Sequence, residues 1–365
     1  MQTLCLSPTP EAIEQAAELL IIGSLVAFPT ETVYGLGANA LDPAAVAEIF
    51  AAKGRPADNP LIMHIHDVKQ LDGLVTIPEK ADALMPRFWP GPLTLLMPRT
   101  NRVPDIVTAG LDTVAVRMPS HPVARELLQA CNVPVAAPSA NRSGKPSPTT
   151  AAHVLQDMDG RIPLILDGGP CDVGLESTVL DLCHGTPCIL RPGGVTKEML
   201  EEVLGKVEVA GSVLRPLGEH EVARSPGMRY RHSAPEGKIT LVTGNEKDVL
   251  KALHLLYEEA ISSGKRSCVL CFEEHMEALA DCHPHDLGRL EHPDDTANRL
   301  FDILRGLDDE RMDLIYSEAL GTEGVGLAVM NRLGRAAAFQ SVSANNVLTE
   351  SGSMTKSANK MSSTK

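Results

Sequence analysis

The chain has 365 residues, room for roughly two domains at about 150 residues each. Hydrophobic residues make up 43% and charged residues 22%, which excludes a wholly disordered or fibrous chain. With 33 Lys and Arg against 47 Asp and Glu, the net charge of -14 argues against a broad nucleic-acid or membrane footprint, yet leaves room for a local basic pocket around a small anion. The longest apolar stretch, 19–28, is broken by Gly23 and Ser24 and is too short to cross a bilayer. The N-terminus, MQTLCLSPTPEA, has no basic n-region and no apolar h-region, and eight cysteines are too sparse for a disulfide scaffold. The expected compartment is the reducing cytoplasm.

Residues 11–22 read as a helix, with Ile13, Ala16, Ala17, Leu20 and Ile21 on one face. A short buried strand follows at 25–29. Asp42 then Pro43 mark a helix start, and the helix over 44–53 puts Val46, Ile49 and Phe50 on one side. Further strands are expected at 93–97, 113–118, 133–137, 164–166, 177–182 and 188–191. This first block, 1–209, reads as α+β: a twisted, mixed sheet flanked by helices. Residues 210–237 are short of apolar pairs, hold Pro216, Pro226, Gly227 and Pro235, and read as a linker. The second block, 238–342, alternates strand (239–242), helix (246–262), strand (267–272), helix (275–282), helix (296–305), strand (313–316) and helix (324–333). That alternation implies a small parallel α/β domain. Residues 343–365 are rich in Ser, Thr, Asn and Lys and read as a disordered tail.

Several segments carry candidate chemistry at strand exits. Pro29-Thr-Glu-Thr-Val-Tyr-Gly-Leu-Gly37 fits a plain strand turn, but the clustering of Thr30, Thr32 and Tyr34 favours a site. Lys53-Gly-Arg-Pro-Ala-Asp-Asn-Pro60 fits charge complementing a helix C-terminus. It also holds a compact cation, Lys53, and a planar fork, Arg55, on one turn, a pair suited to a polyphosphate, with Asn59 as an amide donor. In Pro138-Ser-Ala-Asn-Arg-Ser-Gly-Lys145, Ser139 and Asn141 are two apart and face the same way on an extended chain. The alternative is an ordinary Asn/Ser turn. Ser147-Pro-Thr-Thr resembles a helix cap, itself an anion site. Arg117 lies in an otherwise apolar strand and needs a partner, a role that a carboxylate ligand would fill. Ser177 and Arg191 add polar groups at two more strand ends. Cys268 and Cys271 form a CxxC, followed by Cys282, His283 and His285. Positions three apart on a strand face opposite sides, so core packing is expected for this pair rather than zinc or thiol redox chemistry.

Together, the Thr-Glu-Thr-Val-Tyr-Gly-Leu-Gly, Lys-Gly-Arg-Pro, Asn-Pro-Leu and Pro-Ser-Ala-Asn-Arg-Ser-Gly segments resemble the L-threonylcarbamoyladenylate synthases, whose catalytic module is called YrdC-like. Ser225-Pro-Gly-Met-Arg-Tyr-Arg-His-Ser-Ala-Pro235 resembles the linker of the family's two-domain form, and the second block resembles its Rossmann-like accessory domain. The resemblance implies condensation of L-threonine, bicarbonate and ATP, carried with Mg²⁺, into threonylcarbamoyl-AMP and pyrophosphate. A downstream enzyme would then transfer the threonylcarbamoyl group to an adenosine beside the anticodon of tRNA, so tRNA is met indirectly and no membrane is involved. The family's catalytic tetrad falls on Lys53, Arg55, Ser139 and Asn141. ATP contacts carry onto Arg55, Asn59, Thr113, Ser139, Ser147 and Arg191, with Tyr230 and His232 as a flap. Threonine contacts carry onto Thr32, His64, Arg117, the backbone around Ala137, and Ser177. No metal ligand of protein origin is implied. By itself His64, beside an apolar strand, reads as a core residue. Two rival readings remain: a carbamoyl-AMP-forming relative that shares the module, and a non-catalytic RNA-binding protein. The first usually carries further segments ahead of this module, and the net charge of -14 opposes the second.

Overall fold

The computed structural model describes residues 2–216, 224 and 234–350, and over these the chain builds two sheets. The first has eleven strands with both parallel and antiparallel pairings. At its centre Val26–Phe28, Gly35–Asn39, Val135–Ala136, Ile62–His64, Thr113–Arg117, Leu93–Pro98 and Thr178–Asp181 lie side by side in that order. Cys188–Arg191 and Glu208–Val209 extend one edge, Leu164–Leu166 and Leu4–Leu6 the other. Both faces are covered. In Val26–Phe28, Ala27 joins one apolar cluster while Val26 and Phe28 join the cluster on the opposite side. Burying a side chain such as Phe28 contributes about 2 kcal/mol. Gly37 is required by close packing, since a Cβ there would lie 2.8 Å from both Phe28 and Val135.

Register places the polar groups. Arg117 pairs with His64 on one side and with Thr94 on the other. Residues in register share a face, so these three stand in one row across three strands. The helix Pro43–Lys53 is capped by Asp42, whose side chain accepts from the amides of Ala44 and Ala45. It ends at Gly54 with φ 63°, a left-handed turn that sends Arg55 back toward the sheet. Three further helices, Glu79–Phe88, Pro122–Cys131 and Lys197–Leu204, were not expected from the sequence, while Ala151–Met158 follows the cap expected over 147–150, with Thr150 as its capping residue. Each is short, and the packing of one apolar face decides it more than propensity does.

The second sheet orders Pro284–Asp286, Ser267–Cys271, Leu314–Glu318, Lys238–Thr243 and Ser341–Ser343, all pairings parallel, as the strand–helix alternation implied. The helix Glu246–Ser262 covers one face; Pro293–Asp309 and Gly326–Ala336 cover the other. Cys268 packs into one of these two layers and Cys271 into the other, so the CxxC is core. Two expectations are corrected. Residues 275–282 do not form a helix: after the single turn Glu273–His275 come isolated turns, with Leu279 bonding four residues back to His275 but Ala280 and Cys282 only three, to Glu277 and Leu279, while His275 turns inward onto Glu318. Order also continues past Ser343, because 344–350 is helical and buries Ala344 and Val347 against the Glu246–Ser262 side. Residues 351–365 of the expected tail lie outside the described residues, as do Tyr230 and His232 of the linker.

The two sheets' units meet closely. Val33 and Leu175 belong to the same apolar cluster as the helices 293–309 and 326–336. Gly174, at φ 77°, lets the chain pass the helix backbone: a Cβ there would lie 2.5 Å from Asn298 Cα. Arg305 forms an ion pair with Asp157 at 2.7 Å and donates to Pro146 O at 2.6 Å, all buried.

Candidate active site

One pocket gathers the strand exits. Its lining includes Thr30, Thr32, Arg55, His64, Arg117, Ala137, Ser139, Asn141, Ser147, Glu176, Ser177 and Arg191 from the first unit, and Asn331, Arg332 and Arg335 from the second. Among the described residues, five arginines face it against one carboxylate, Glu176. A chain of net charge -14 thus has a strongly basic cavity.

The turn 29–34 is shaped by Thr30. Its Oγ1 accepts from the amides of Thr32 and Val33 (both 3.2 Å) and donates to Val33 O at 2.6 Å. Thr32 is thereby held at the pocket, where its Oγ1 accepts from Arg117 Nη1 at 2.8 Å. Tyr34 turns the other way: it is fully buried in the core and donates to Gly169 O at 2.7 Å.

The partner that Arg117 needs is Glu31, 2.6 Å away and 5% exposed, which the sequence reading did not identify. Burial pushes the Glu31 carboxyl up, but the Arg117 guanidinium prevails and holds it below its ordinary value. His64 beside them is neutral: burial, and then the charge of Arg117, push its pKa down to about 3. Its Nδ1 lies 3.1 Å from Ile62 O, which can only accept, so that nitrogen carries the proton.

Lys53 and Arg55 part company. The Lys53 ammonium is buried under the Ser139–Asn141 loop and donates to Ser139 O at 2.5 Å and Asn141 O at 2.6 Å. Burial, then the charge of Arg55, push its pKa well below that of ordinary lysine. Lys53 therefore shapes the loop from beneath, while Arg55 lines the pocket and donates to Asn59 O at 3.2 Å. The Asn141 amide nitrogen donates to Arg142 O and Lys145 O (2.9 and 2.7 Å), fixing the loop from its other side. Asn59 is fully buried behind Arg55 and does not reach the cavity. Thr113 stands at the far end of the Thr113–Arg117 strand, four residues from Arg117, roughly 13 Å along an extended chain, and is not in the pocket.

Across the cavity Ser177 bonds Thr94 Oγ1 at 2.7 Å and accepts from Arg191 Nη2 at 3.1 Å. Arg191 is desolvated and surrounded by cationic Arg332, Arg117 and Arg335; burial above all pushes its pKa down to about 9. Glu176 is the counter-charge. It accepts from Ser147 at 2.5 Å and from Arg332 Nε at 2.7 Å. Burial opposes ionisation, but Arg332 and Arg191 pull its pKa down to about 2. Sequence reasoning missed Glu176, Asn331, Arg332 and Arg335. The available signal was polar residues on the inner face of an otherwise apolar helix, for Asn331 and Arg332 are only 2% and 4% exposed.

Comparison with known proteins places the chain in a family. Residues 18–193 match the family described as Telomere recombination, and residues 195–338 the one described as Threonylcarbamoyl-AMP synthase, C-terminal domain. The chain is 48% identical to the threonylcarbamoyl-AMP synthase of Bacillus subtilis, over 91% of this chain and 94% of that protein. It is 46% identical to that of Pyrococcus abyssi, over 90% and 94%. The crystal structure of P. abyssi Sua5 complexed with L-threonine superposes with a TM-score of 0.87 at 44% identity, covering 94% of this chain and 98% of that one. With relatives this similar over nearly its whole length, the chain belongs to the threonylcarbamoyl-AMP synthase family, in its two-domain form.

Proposed function

We infer that the protein is a threonylcarbamoyl-AMP synthase: it uses ATP and L-threonine and transfers a nucleotidyl group. The observation that carries this reading is one cavity joining the Thr32–Arg117–His64 corner to a cationic wall of Arg55, Arg191, Arg332 and Arg335. Bicarbonate supplies the carbon of the carbamate, and pyrophosphate leaves. The product is of the kind that a downstream transferase passes to an adenosine in tRNA, so tRNA is met indirectly.

In the mechanism we propose, Arg117 and Thr32 take the threonine carboxylate, with Ser177 and the Ala137 backbone fixing the rest of the amino acid. Neutral His64 adds a wall that brings no competing charge. The threonine amine adds to CO₂ derived from bicarbonate and gives up a proton, leaving a carbamate. A carbamate oxygen attacks the α-phosphorus as the bond to pyrophosphate breaks. Little covalent help is needed, so positioning and charge neutralisation carry the step. Arg55 and Arg191 face the departing charge. Ser139, Asn141 and Ser147 orient the phosphates, and Lys53 acts through the loop it pins. Glu176 in the cavity wall and Glu31 behind Arg117 are each paired with an arginine. That arrangement suits a Mg²⁺ that arrives on the nucleotide's phosphates, where it would share the neutralisation of charge. Carbamates decompose in water, so the inner face of the second unit also serves by keeping the cavity dry.

The test is incubation with ATP, threonine and labelled bicarbonate, followed by detection of a labelled threonylcarbamoyl-AMP adduct and pyrophosphate. Release should need threonine and bicarbonate together. Equal release from ATP alone would replace this reading with a plain pyrophosphohydrolase.

A further inference from the structure

The turn-rich segment where a helix was expected ends in Asp281-Cys282-His283-Pro284-His285. Cysteine, histidine and carboxylate here have no part in the proposed reaction. Cys282 packs on the sheet face carrying the helix Glu246–Ser262, opposite the face that meets the catalytic cavity. His254 projects from that helix toward the segment. Its Nε2 lies 2.9 Å from Ala278 O. A carbonyl only accepts, so Nε2 carries the hydrogen, and the Nδ1 lone pair of the neutral ring faces Cys282 and Asp281. A backbone acceptor fixing the outer nitrogen is the usual support of a metal-bound imidazole.

The three donor atoms form a triangle: Sγ of Cys282 to Nδ1 of His254 is 3.2 Å, Sγ to Oδ1 of Asp281 is 3.7 Å, and Nδ1 to Oδ1 is 3.7 Å. A tetrahedral cation with a sulfur at about 2.3 Å and nitrogen or oxygen at about 2.1 Å needs edges of about 3.4–3.6 Å. The triangle matches one face of that tetrahedron to within a few tenths of an ångström. Cys282 is fully buried, while the Asp281 side chain is 79% exposed, which leaves the fourth position to water. We propose that His254, Asp281 and Cys282 form a binding site for a thiophilic divalent cation of the zinc class, tying the helix Glu246–Ser262 to the turn before Pro284–Asp286. Binding is a ligand exchange without redox change: the Cys282 S–H bond breaks, its proton goes to solvent, and a sulfur–metal bond forms. Burial, and then the charge of Asp281, push the metal-free thiol up to about 12. A cation reverses that balance, because coordination removes the proton outright. The neighbouring group His283, His285 and Glu310 also brings three donors together, but there His283 and Glu310 are already joined by a surface hydrogen bond at 2.9 Å.

The test is titration of the purified, metal-stripped full chain with Co²⁺. One equivalent should bind with a near-ultraviolet thiolate-to-cobalt charge-transfer band, release one proton to the buffer and raise the Tm. Cys282→Ser should abolish the band, His254→Ala should weaken binding roughly tenfold or more, and His285→Ala should leave both unchanged. Asp281→Asn alters an exposed side chain that the fold does not need, so it is the control against misfolding. It should likewise weaken Co²⁺ binding several-fold. The absence of a charge-transfer band, a band that survives Cys282→Ser, or unchanged affinity in Asp281→Asn would overturn the proposal. So would weak visible absorption lost in His285→Ala, which puts the ion on the neighbouring group.

Discussion

The cavity has two halves of different origin. One is the corner of Thr32, Glu31, His64 and Arg117, built entirely within the eleven-stranded sheet. Register alone sets His64 beside Arg117, and the turn of Thr30 adds Thr32. The other half, around Ser147, Glu176 and Arg191, is finished only by Arg332 and Arg335 from a helix more than a hundred residues later in the chain. The first half is a property of one sheet. The second depends on contact between two units, and its only carboxylate is held ionised largely by an arginine from the other unit. The accessory unit is therefore part of the proposed ATP site rather than a passenger.

The largest expected effect comes from breaking that shared half. Arg332→Ala leaves Glu176 ionised and buried without its main partner, which should cost about 3–5 kcal/mol of stability in denaturant unfolding. Turnover should fall roughly hundredfold or more, because the lost group also lines the proposed ATP site. Replacing both partners, Arg332→Met with Glu176→Gln, should restore most of the stability and little of the activity. A folded Arg332→Ala protein with unchanged dependence on ATP would reduce the helix to packing and dissolve the contrast between the halves.

Arg55→Ala tests the same half from the first unit. The residue sits on a turn set by Gly54 and Pro56, so folding should survive, while turnover falls at least about tenfold, or about 1.4 kcal/mol of barrier. The threonine KM should not move. Arg117→Lys probes the other half: the charge opposite Glu31 remains, but the two-pronged fork is lost. We expect the threonine KM to rise roughly fivefold with ATP dependence unchanged. Parallel changes in both substrates' KM values would mean the two halves do not act separately.

The same division explains what could be read from the sequence. Thr32, Ser139, Asn141 and Arg55 sit in short local motifs at strand exits, and the sheet delivers them to one place. Strands such as Cys188–Arg191 and the helix Glu246–Ser262 follow directly from apolar periodicity. Glu31 and Glu176 escaped because a carboxylate in a loop carries no signal of its partner, and each partner is distant in sequence. Arg332 escaped because it stands on the buried side of a helix that looks like an ordinary core element. The motif Lys-x-Arg looked like one unit with one role, but a left-handed Gly54 splits it, sending Lys53 under the loop and Arg55 into the cavity. The segment 275–282 misled in the opposite direction: its helical composition lost to the inward pull of His275 on Glu318.

The smallest effect sharpens the threonine half by asking whether its corner is held uncharged. His64 titrates at about 3 in the folded protein against 6.5 for an ordinary histidine, chiefly through burial. The folded state then binds fewer protons than the unfolded state whenever the pH falls below the ordinary value. The stability tied to neutral His64 is fully present above 6.5 and is lost progressively as pH falls toward 3. Lowering the pH from about 7.5 to about 6 should remove about 0.8 kcal/mol through this group. The buried carboxylates do not confuse the window, because Glu31 and Glu176 have lowered pKa values and lose their contribution only below the ordinary carboxylate range. Other histidines do titrate nearby, so the measurement is a difference: unfolding free energy against pH for the protein and for His64→Asn, which keeps a polar side chain in the row without a titrating ring. The variant should show the shallower slope by about that amount. Parallel slopes would mean that His64 gains its proton without penalty and that the corner tolerates a second cation beside Arg117.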